Sequence, residues 1–416
     1  MRKIFTTAFV FAFGLAAANA WALNGNQFTG NGPVQASMNG AGVAAPLDST
    51  IITQNPAGLV KVTDRFDFAI ELGIPIGHSN TSAAPAGNAA AGNQETDVDV
   101  FPIPAISTAI GLLDGKMALG LGFFEVAGNA SNLKQSRVNP ALTGNNYDRY
   151  IDYRLYKIMP GIAYSILDNL SIGATAQIGY AMFSTDMAVP PTFKETKGMG
   201  RTDNALGFGG SLGILYSPIE RLSLGVNYTS RMLFPKFKKY DDIINNNLDM
   251  PHQLKAGISG KPFDNWLLAL DFHWINWSGI SMYGDAPSKG GLGWRDQYCF
   301  DFGTQYSPLN WLHLRAGYGY GRSPIPDNAI FANAIAPLIS QHAFGVGFGF
   351  DVAKKWTINA HYGMNLKHTM TESGTGDAIS AAGTGTKVDL MVHSASLGVS
   401  YKWGKPNGKE KEKAVD

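Results

Sequence analysis

Leu170-Ser171-Ile172-Gly173-Ala174-Thr175-Ala176-Gln177-Ile178-Gly179-Tyr180 is the stretch whose reading decides the fold. Side chains on an extended strand point alternately to opposite faces. Leu170, Ile172, Ala174, Ala176, Ile178 and Tyr180 therefore share an apolar face, and Ser171, Gly173, Thr175, Gln177 and Gly179 share a small or polar one. The same division recurs along the chain. In 222–229 it sets Leu222, Leu224, Val226 and Tyr228 against Ser223, Gly225, Asn227 and Thr229. In Trp311–Tyr320 it sets Leu312, Leu314, Ala316, Tyr318 and Tyr320 against His313, Arg315, Gly317 and Gly319, and near the end Ala395, Leu397, Val399, Tyr401 and Trp403 oppose Ser394, Ser396, Gly398, Ser400 and Lys402. A soluble sandwich has the same local alternation. Two features favour a membrane barrel: the apolar faces end in aromatics (Tyr180, Tyr228, Trp266, Trp311, Trp356, Trp403), and tight turns alternate strictly with long polar loops.

Carried outward, the pattern predicts strands near 65–76, 98–111, 117–127, 149–166, 170–188, 204–216, 221–235, 250–261, 266–281, 295–307, 311–321, 340–352, 356–369 and 387–403. That is an all-β chain, a transmembrane antiparallel barrel of about fourteen strands, and an even number suits a single-chain outer-membrane barrel. The turns 112–116, 167–169, 217–220, 262–265, 308–310 and 353–355 mostly carry the Asp, Asn, Gly or Pro that sharp reversals require. Long loops fall near 77–97, 128–148, 189–203, 236–249, 282–294, 322–339 and 370–386.

Composition agrees. Charged residues make up 16% of the chain, with 49 Gly, 23 Phe, 16 Tyr and 8 Trp. A mean hydropathy of −0.06 is too polar for a helical membrane protein and suits lipid-facing and lumen-facing sets that average out. The net charge of +1 gives no electrostatic case for nucleic acid. One cysteine, Cys299, excludes an internal disulfide and reads as a small apolar filler. At the front, Met1-Arg2-Lys3, an apolar run from Ile4 to Ala18 and small-x-small sites ending at Ala20 or Ala22 read as a secretory signal peptide, 1–22. The apolar run is short of the ~20 residues a spanning helix needs.

A ring of this size is too wide for its own side chains to fill. The spare segment 23–64, rich in Gly, Ala and Asn, lacks alternation; a disordered leader is one reading, and a plug within the lumen fits better, its small residues permitting close backbone packing against the wall. The barrel then spans 65–403 and a polar tail spans 404–416.

Met38-Asn39-Gly40-Ala41-Gly42-Val43-Ala44-Ala45-Pro46-Leu47-Asp48, followed by Gln54-Asn55-Pro56-Ala57-Gly58-Leu59, resembles the N-terminal hatch of the FadL/TodX family of outer-membrane transporters of hydrophobic compounds. Trp294-Arg295-Asp296, Leu314-Arg315-Ala316-Gly317-Tyr318 and Ser323-Pro324-Ile325-Pro326-Asp327 resemble its late-barrel pattern in the same order, and Trp266–Trp277 resembles the strand before it. The family finishes its barrels on an aromatic, whereas here Trp403 precedes the polar tail.

The resemblance implies passive passage of long-chain fatty acids or other hydrophobic molecules: capture at external loops, a pocket near the hatch, a hatch shift, and exit through a wall gap at a kinked strand. Aromatic hydrocarbons in the same fold are the alternative cargo, and a general porin is a more distant one. For capture the residues offer Phe234, Phe237, Ile243, Ile244 and Leu248 among Lys236, Lys238 and Lys239, with Phe331 and Ile335 in a second apolar loop. Apolar groups beside cations suit an amphipathic acid, and loop self-packing accounts for them equally well. Arg315, in the lumen-facing set, is a candidate partner for a ligand carboxylate, set against a salt bridge to Asp48 or Asp271; Asp271 and His273 read first as lumen polars. Asn55, Pro56, Ala57 and Gly58 are candidate hinge residues, Pro56 because it fixes φ, and a static turn accounts for the corner equally well. Gly120 and Gly122 are candidates for the gap mainly by the resemblance, since glycines weaken a strand but are frequent throughout this chain. The sequence contains no Gly-x-Ser-x-Gly, no His-Glu-x-x-His and no convincing Ser/His/acid set, so no enzyme, cofactor or metal is expected. The expected partners are hydrophobic small molecules and the lipid and lipopolysaccharide of a Gram-negative outer membrane, around a monomer.

Overall fold

The computed structural model describes residues 24–80, 93–95, 100–133, 149–185, 198, 200–241, 244 and 246–403; the segment 1–22 expected to be a signal peptide and the tail 404–416 lie outside them. The strands, numbered for the barrel, are β1 Arg65–Asn80, β2 Phe101–Leu112, β3 Met117–Leu133, β4 Arg149–Leu167, β5 Leu170–Thr185, β6 Asp203–Ile219, β7 Leu222–Thr229, β8 Gln253–Phe263, β9 Trp266–Ile275, β10 Gln297–Leu309, β11 Leu312–Gly321, β12 His342–Ala353, β13 Trp356–Asn365 and β14 Lys387–Lys402. Each pairs antiparallel with its neighbours in chain order, and β1 pairs with β14 from Arg65↔Lys402 to Asn80↔Lys387, closing a 14-strand barrel. Two short strands continue the wall beyond breaks: Asn93–Glu95 pairs with β1 above β2, and His368–Thr371 pairs with β14 above β13.

The alternation settles which face meets lipid. Phe66, Phe68, Ile70, Leu72 and Ile74 of β1 point outward, while Arg65, Asp67, Ala69 and Glu71 point in and are buried. Leaving such side chains in water would cost about 1.5–3 kcal/mol each relative to burial. Outward apolar residues on every strand form a continuous band of that kind, far beyond the patches soluble proteins carry. Trp266, Trp311, Trp356 and Trp403 stand outward at the end with the tight turns, and Tyr180 and Tyr228 stand outward near the loop end. Among the described residues no helix is long and apolar enough to cross a membrane.

The predicted strands differ from the observed ones mainly where the loops begin. The seventh, expected to reach 235, ends at Thr229; there the chain turns inward and Met232 and Phe234 pack over Gly179 and Gly207 of the wall. The ninth ends at Ile275 rather than near 281, and Ser281–Gly284 is a short helix in the outer loops.

Residues 24–64 fill the lumen. Gly32–Ser37 forms a helical turn, and 3-10 turns run over Ser49–Thr53 and Pro56–Lys61. Ile51, Ile52, Leu59 and Val60 pack on the small inward residues Ala105, Ala109, Ala118 and Ala163. Polar contacts hold the rest. The N–H groups of Gly42 and Val43 both donate to Asp271 Oδ2, at 2.7 and 2.8 Å, and Asn39 Nδ2 donates to Asp301 Oδ1 at 2.9 Å.

Candidate functional site

Two apolar cavities meet above the plug. The outer one, about 870 Å³, lies among the loops after β7, β9 and β11 and the upper ends of β4 and β5, with Tyr153, Phe183, Ile244, Leu248, Tyr283 and Trp294 on its lining. The second, about 680 Å³, lies against the wall, between Pro75, Gly77 and His78 of β1, Gly128–Ser131 of β3, and Leu390 and Val392 of β14. Asn26, Asn129, Ile335, Ala336 and Leu338 line both, so the cavities adjoin. Among their described lining residues there is no Lys, Arg, Asp or Glu, and His78 and two tyrosines are the titratable ones.

Aromatic packing builds the outer cavity. Trp277, Tyr283 and Trp294 form a triad with ring centroids 4.8–4.9 Å apart. Trp294 Nε1 donates to Asn333 Oδ1 at 2.8 Å, and Asn333 Nδ2 donates to the carbonyls of Leu292 and Ala329, tying the two loops together. Asp296 fastens the start of the same loop region, accepting from Trp274 Nε1, Asn276 Nδ2 and Ser278. Burial alone would raise its carboxyl, but the hydrogen bonds from Ser278 and Asn276 outweigh it and hold the group below its ordinary 3.8.

The wall is interrupted beside the second cavity. The β2–β3 ladder runs from Leu112↔Met117 to Ala105↔Phe124, and among the described residues it goes no further. Pro102 and Pro104 there have no N–H to donate, and β3 carries a bulge between Glu125 and Ala127. The edge so exposed is taken by the start of the plug: Phe28 N–H donates to Val126 O and Gly128 N–H to Asn26 O, both at 3.0 Å.

The predicted site residues separate under this geometry. Ile244, Leu248 and Ile335 line the outer cavity. Phe234 and Phe237 are buried in the same apolar cluster without lining it, and half-buried Phe331 packs over Gly383 on the outer loops. Ile243 lies outside the described residues. Arg315 lines neither cavity, and its nitrogens donate to Gln305 Oε1 (2.7 Å) and Asn359 Oδ1 (3.0 Å) rather than to Asp48 or Asp271. Four residues past the turn at 310–311, it sits at the end of the barrel away from the cavities. Gly120 and Gly122 need correction as the gap: they lie in full register, opposite Ala109 and Ser107 on one side and Gly161 and Met159 on the other, so the wall is intact there. Their missing side chains serve packing, Gly120 against Leu59 of the plug and Gly122 under the ring of Phe124.

Asn55 is fully buried. Its Nδ2 donates to Val43 O and Ile214 O at 2.9 Å, while Oδ1 accepts from Ala57 N–H and caps the turn that Pro56 opens. The wall makes room for this corner at Gly213, where a Cβ would lie 2.1 Å from Asn55 Oδ1, and at Gly173, where it would lie 2.4 Å from Ala57 N. Gly58 packs against Ile51. Sequence reasoning missed Asn26, Tyr153, Phe183 and Tyr283, because their meeting depends on loops and a plug that leave no periodic signal.

A family model described as outer membrane protein transport protein (OMPP1/FadL/TodX) matches residues 9–403. Among solved structures, the P. putida toluene transporter TodX superposes with a TM-score of 0.69 at 14% identity, over 91% of this chain and 100% of that one. A Pseudomonas aeruginosa FadL homologue gives 0.63 at 14% identity, over 94% and 100%. The Ralstonia pickettii toluene transporter TbuX gives 0.62 at 16%, over 91% and 99%. At these identities the likeness shows the fold. No curated protein sequence matches the chain.

Proposed function

The chain belongs to the OMPP1/FadL/TodX family of outer-membrane transporters of hydrophobic compounds, and from that premise we propose that its cargo is uncharged, a small aromatic or similar hydrophobic molecule. The observation that carries this is the lack of any Lys, Arg, Asp or Glu among the described residues lining the two cavities. A carboxylate moved into such surroundings loses its hydration without gaining a Lys or Arg partner, which costs several kcal/mol or more. An apolar ring loses nothing comparable and gains contact with Phe183, Tyr283 and Trp294. The path runs from the outer cavity to the wall cavity and out between β2 and β3, the plug's first residues withdrawing from the β3 edge. The lapsed ladder and the shared lining of the cavities support that route. The corner at Asn55–Gly58 then acts as the fixed anchor below the moving part.

Fatty acids form the second reading. Exposed Lys236, Lys238 and Lys239 stand on the loop that supplies Ile244 and Leu248, and could draw an anion to the surface. Competition at pH 7 separates the two: the quenching of tryptophan fluorescence by toluene should be saturable in the purified protein and little affected by oleate. Tight oleate binding with no response to toluene would overturn the uncharged-cargo reading.

A further inference from the structure

Asn26 touches both cavities and is 5% exposed. Its Nδ2 donates to Tyr283 Oη at 2.9 Å, while its Oδ1 is buried with no hydrogen-bond partner. Gln27, on the wall cavity, is in the same position: its Oε1 accepts from Gln253 Nε2 at 2.9 Å, and its Nε2 is buried without a partner. Buried polar atoms left unpaired are rare in folded proteins, and two in succession, on residues that line the apolar cavities, call for an account.

Neither side chain is free to turn away. Gly25 has φ 65°, and a Cβ there would lie 2.7 Å from the Trp277 ring and 2.9 Å from that of Trp294, so the backbone is seated directly on the aromatic triad. On the other side the Asn26 carbonyl and the Phe28 N–H are bonded to the β3 edge. The far end of Gln27 is held through Gln253, whose Oε1 meets His273 Nε2 at 3.0 Å.

We propose that these two amides recognise a hydroxyl group, so that the preferred cargo is an uncharged hydroxylated hydrophobe, a phenol or alcohol. This rests on the reading of the cavities as the substrate path. A hydroxyl both donates and accepts, and is served whichever way round either amide lies. A hydrocarbon leaves Asn26 Oδ1 and Gln27 Nε2 unpaired, and sites built to bond a substrate's hydroxyl discriminate strongly against analogues lacking it. A carboxylate meets no cation there.

The test compares p-cresol with p-xylene, matched in shape and differing by a hydroxyl in place of a methyl. Binding to the full-length, detergent-purified protein is followed by tryptophan fluorescence and calorimetry. Asn26→Leu should lower the ratio of p-cresol to p-xylene affinity roughly ten-fold, by weakening p-cresol alone, a change typical of one lost buried hydrogen bond. Taking the ratio between proteins cancels the compounds' different solubilities. Gln27→Leu gives the same readout where Asn26→Leu fails to fold. A ratio unchanged in the variants overturns the hydroxyl inference while leaving the path intact. Failure of both compounds to bind the unaltered protein overturns the reading of the cavities themselves.

Discussion

Asp271 shows how much of the plug's attachment rests on single side chains. One carboxylate oxygen accepts from two successive backbone N–H groups, and no other acceptor replaces it in Asp271→Ala. Two buried donors would be orphaned at about 1–3 kcal/mol each, so the plug should loosen by about 2–6 kcal/mol. Faster amide hydrogen exchange at Gly42 and Val43, with barrel strands unaffected, is the expected result; unchanged protection there would show that the carboxylate does not hold the plug. At Gly213 the constraint is space. In Gly213→Ala the new Cβ overlaps Asn55 Oδ1, and the corner must shift at about 1–3 kcal/mol, seen as a lower unfolding midpoint. Asp296 adds a pH dependence. Its carboxyl is held below the ordinary 3.8, so its bonds contribute stability in full above that value and lose it as pH falls further, through the lowered folded value. Exchange protection around Asn276 and Ser278 should therefore persist at pH 5 and disappear below the ordinary carboxylate range, whereas Asp296→Asn should lose protection at both.

Among elements, β3 differs from its neighbours in being paired to different depths on its two sides. Its ladder with β4 runs to Leu133↔Arg149, while that with β2 stops at Phe124, and the plug's first residues occupy part of the difference. The bridge Gln27↔Ala127 allows a direct test of whether that contact is a gate. In Gln27→Cys/Ala127→Cys, oxidation should stop toluene uptake into proteoliposomes and reduction should restore it, since the comparison is within one protein. Uptake equal in both redox states would place the exit elsewhere. The sequence showed the strands well because each has one face in lipid and one in the lumen, which imposes a period of two on residues such as those of Leu170–Tyr180. It pointed to Gly120 and Gly122 on β3, where the ladder is intact, because glycine has two uses here. At Gly120 and Gly122 it admits Leu59 and the ring of Phe124, and at the break in the ladder the signal is Pro102 and Pro104 with a bulge at Glu125. The loops were legible as apolar, through Ile244, Leu248 and Ile335. Their convergence with Tyr153, Phe183 and Asn26 follows from barrel closure, which no local pattern encodes.

For the molecule as a whole, a barrel of this circumference would be an open pore, and the contents of its lumen decide what crosses. The wall's inward glycines and alanines are the complement of the plug: Ala109, Ala118 and Ala163 receive Ile51, Ile52 and Leu59, while Gly225 approaches Val43. The barrel's own stability lies elsewhere, in ladders closed from β1 to β14 and in the lipid-facing band, neither of which includes the plug. Closure and permeability are therefore separable. Deleting Leu23–Leu59, with residues 1–22 retained, should leave a folded, inserted barrel and turn it into a leak for small hydrophilic solutes. Planar-bilayer conductance and sugar efflux from liposomes would both rise, while the intact protein passes neither. The deletion also removes Asn26 and the strand-edge contact, so saturable toluene binding should be lost as conductance appears. A deleted protein that inserts and still conducts no more than the intact one would mean that the outer loops alone seal the barrel, and the plug's part in selectivity would fall with that result.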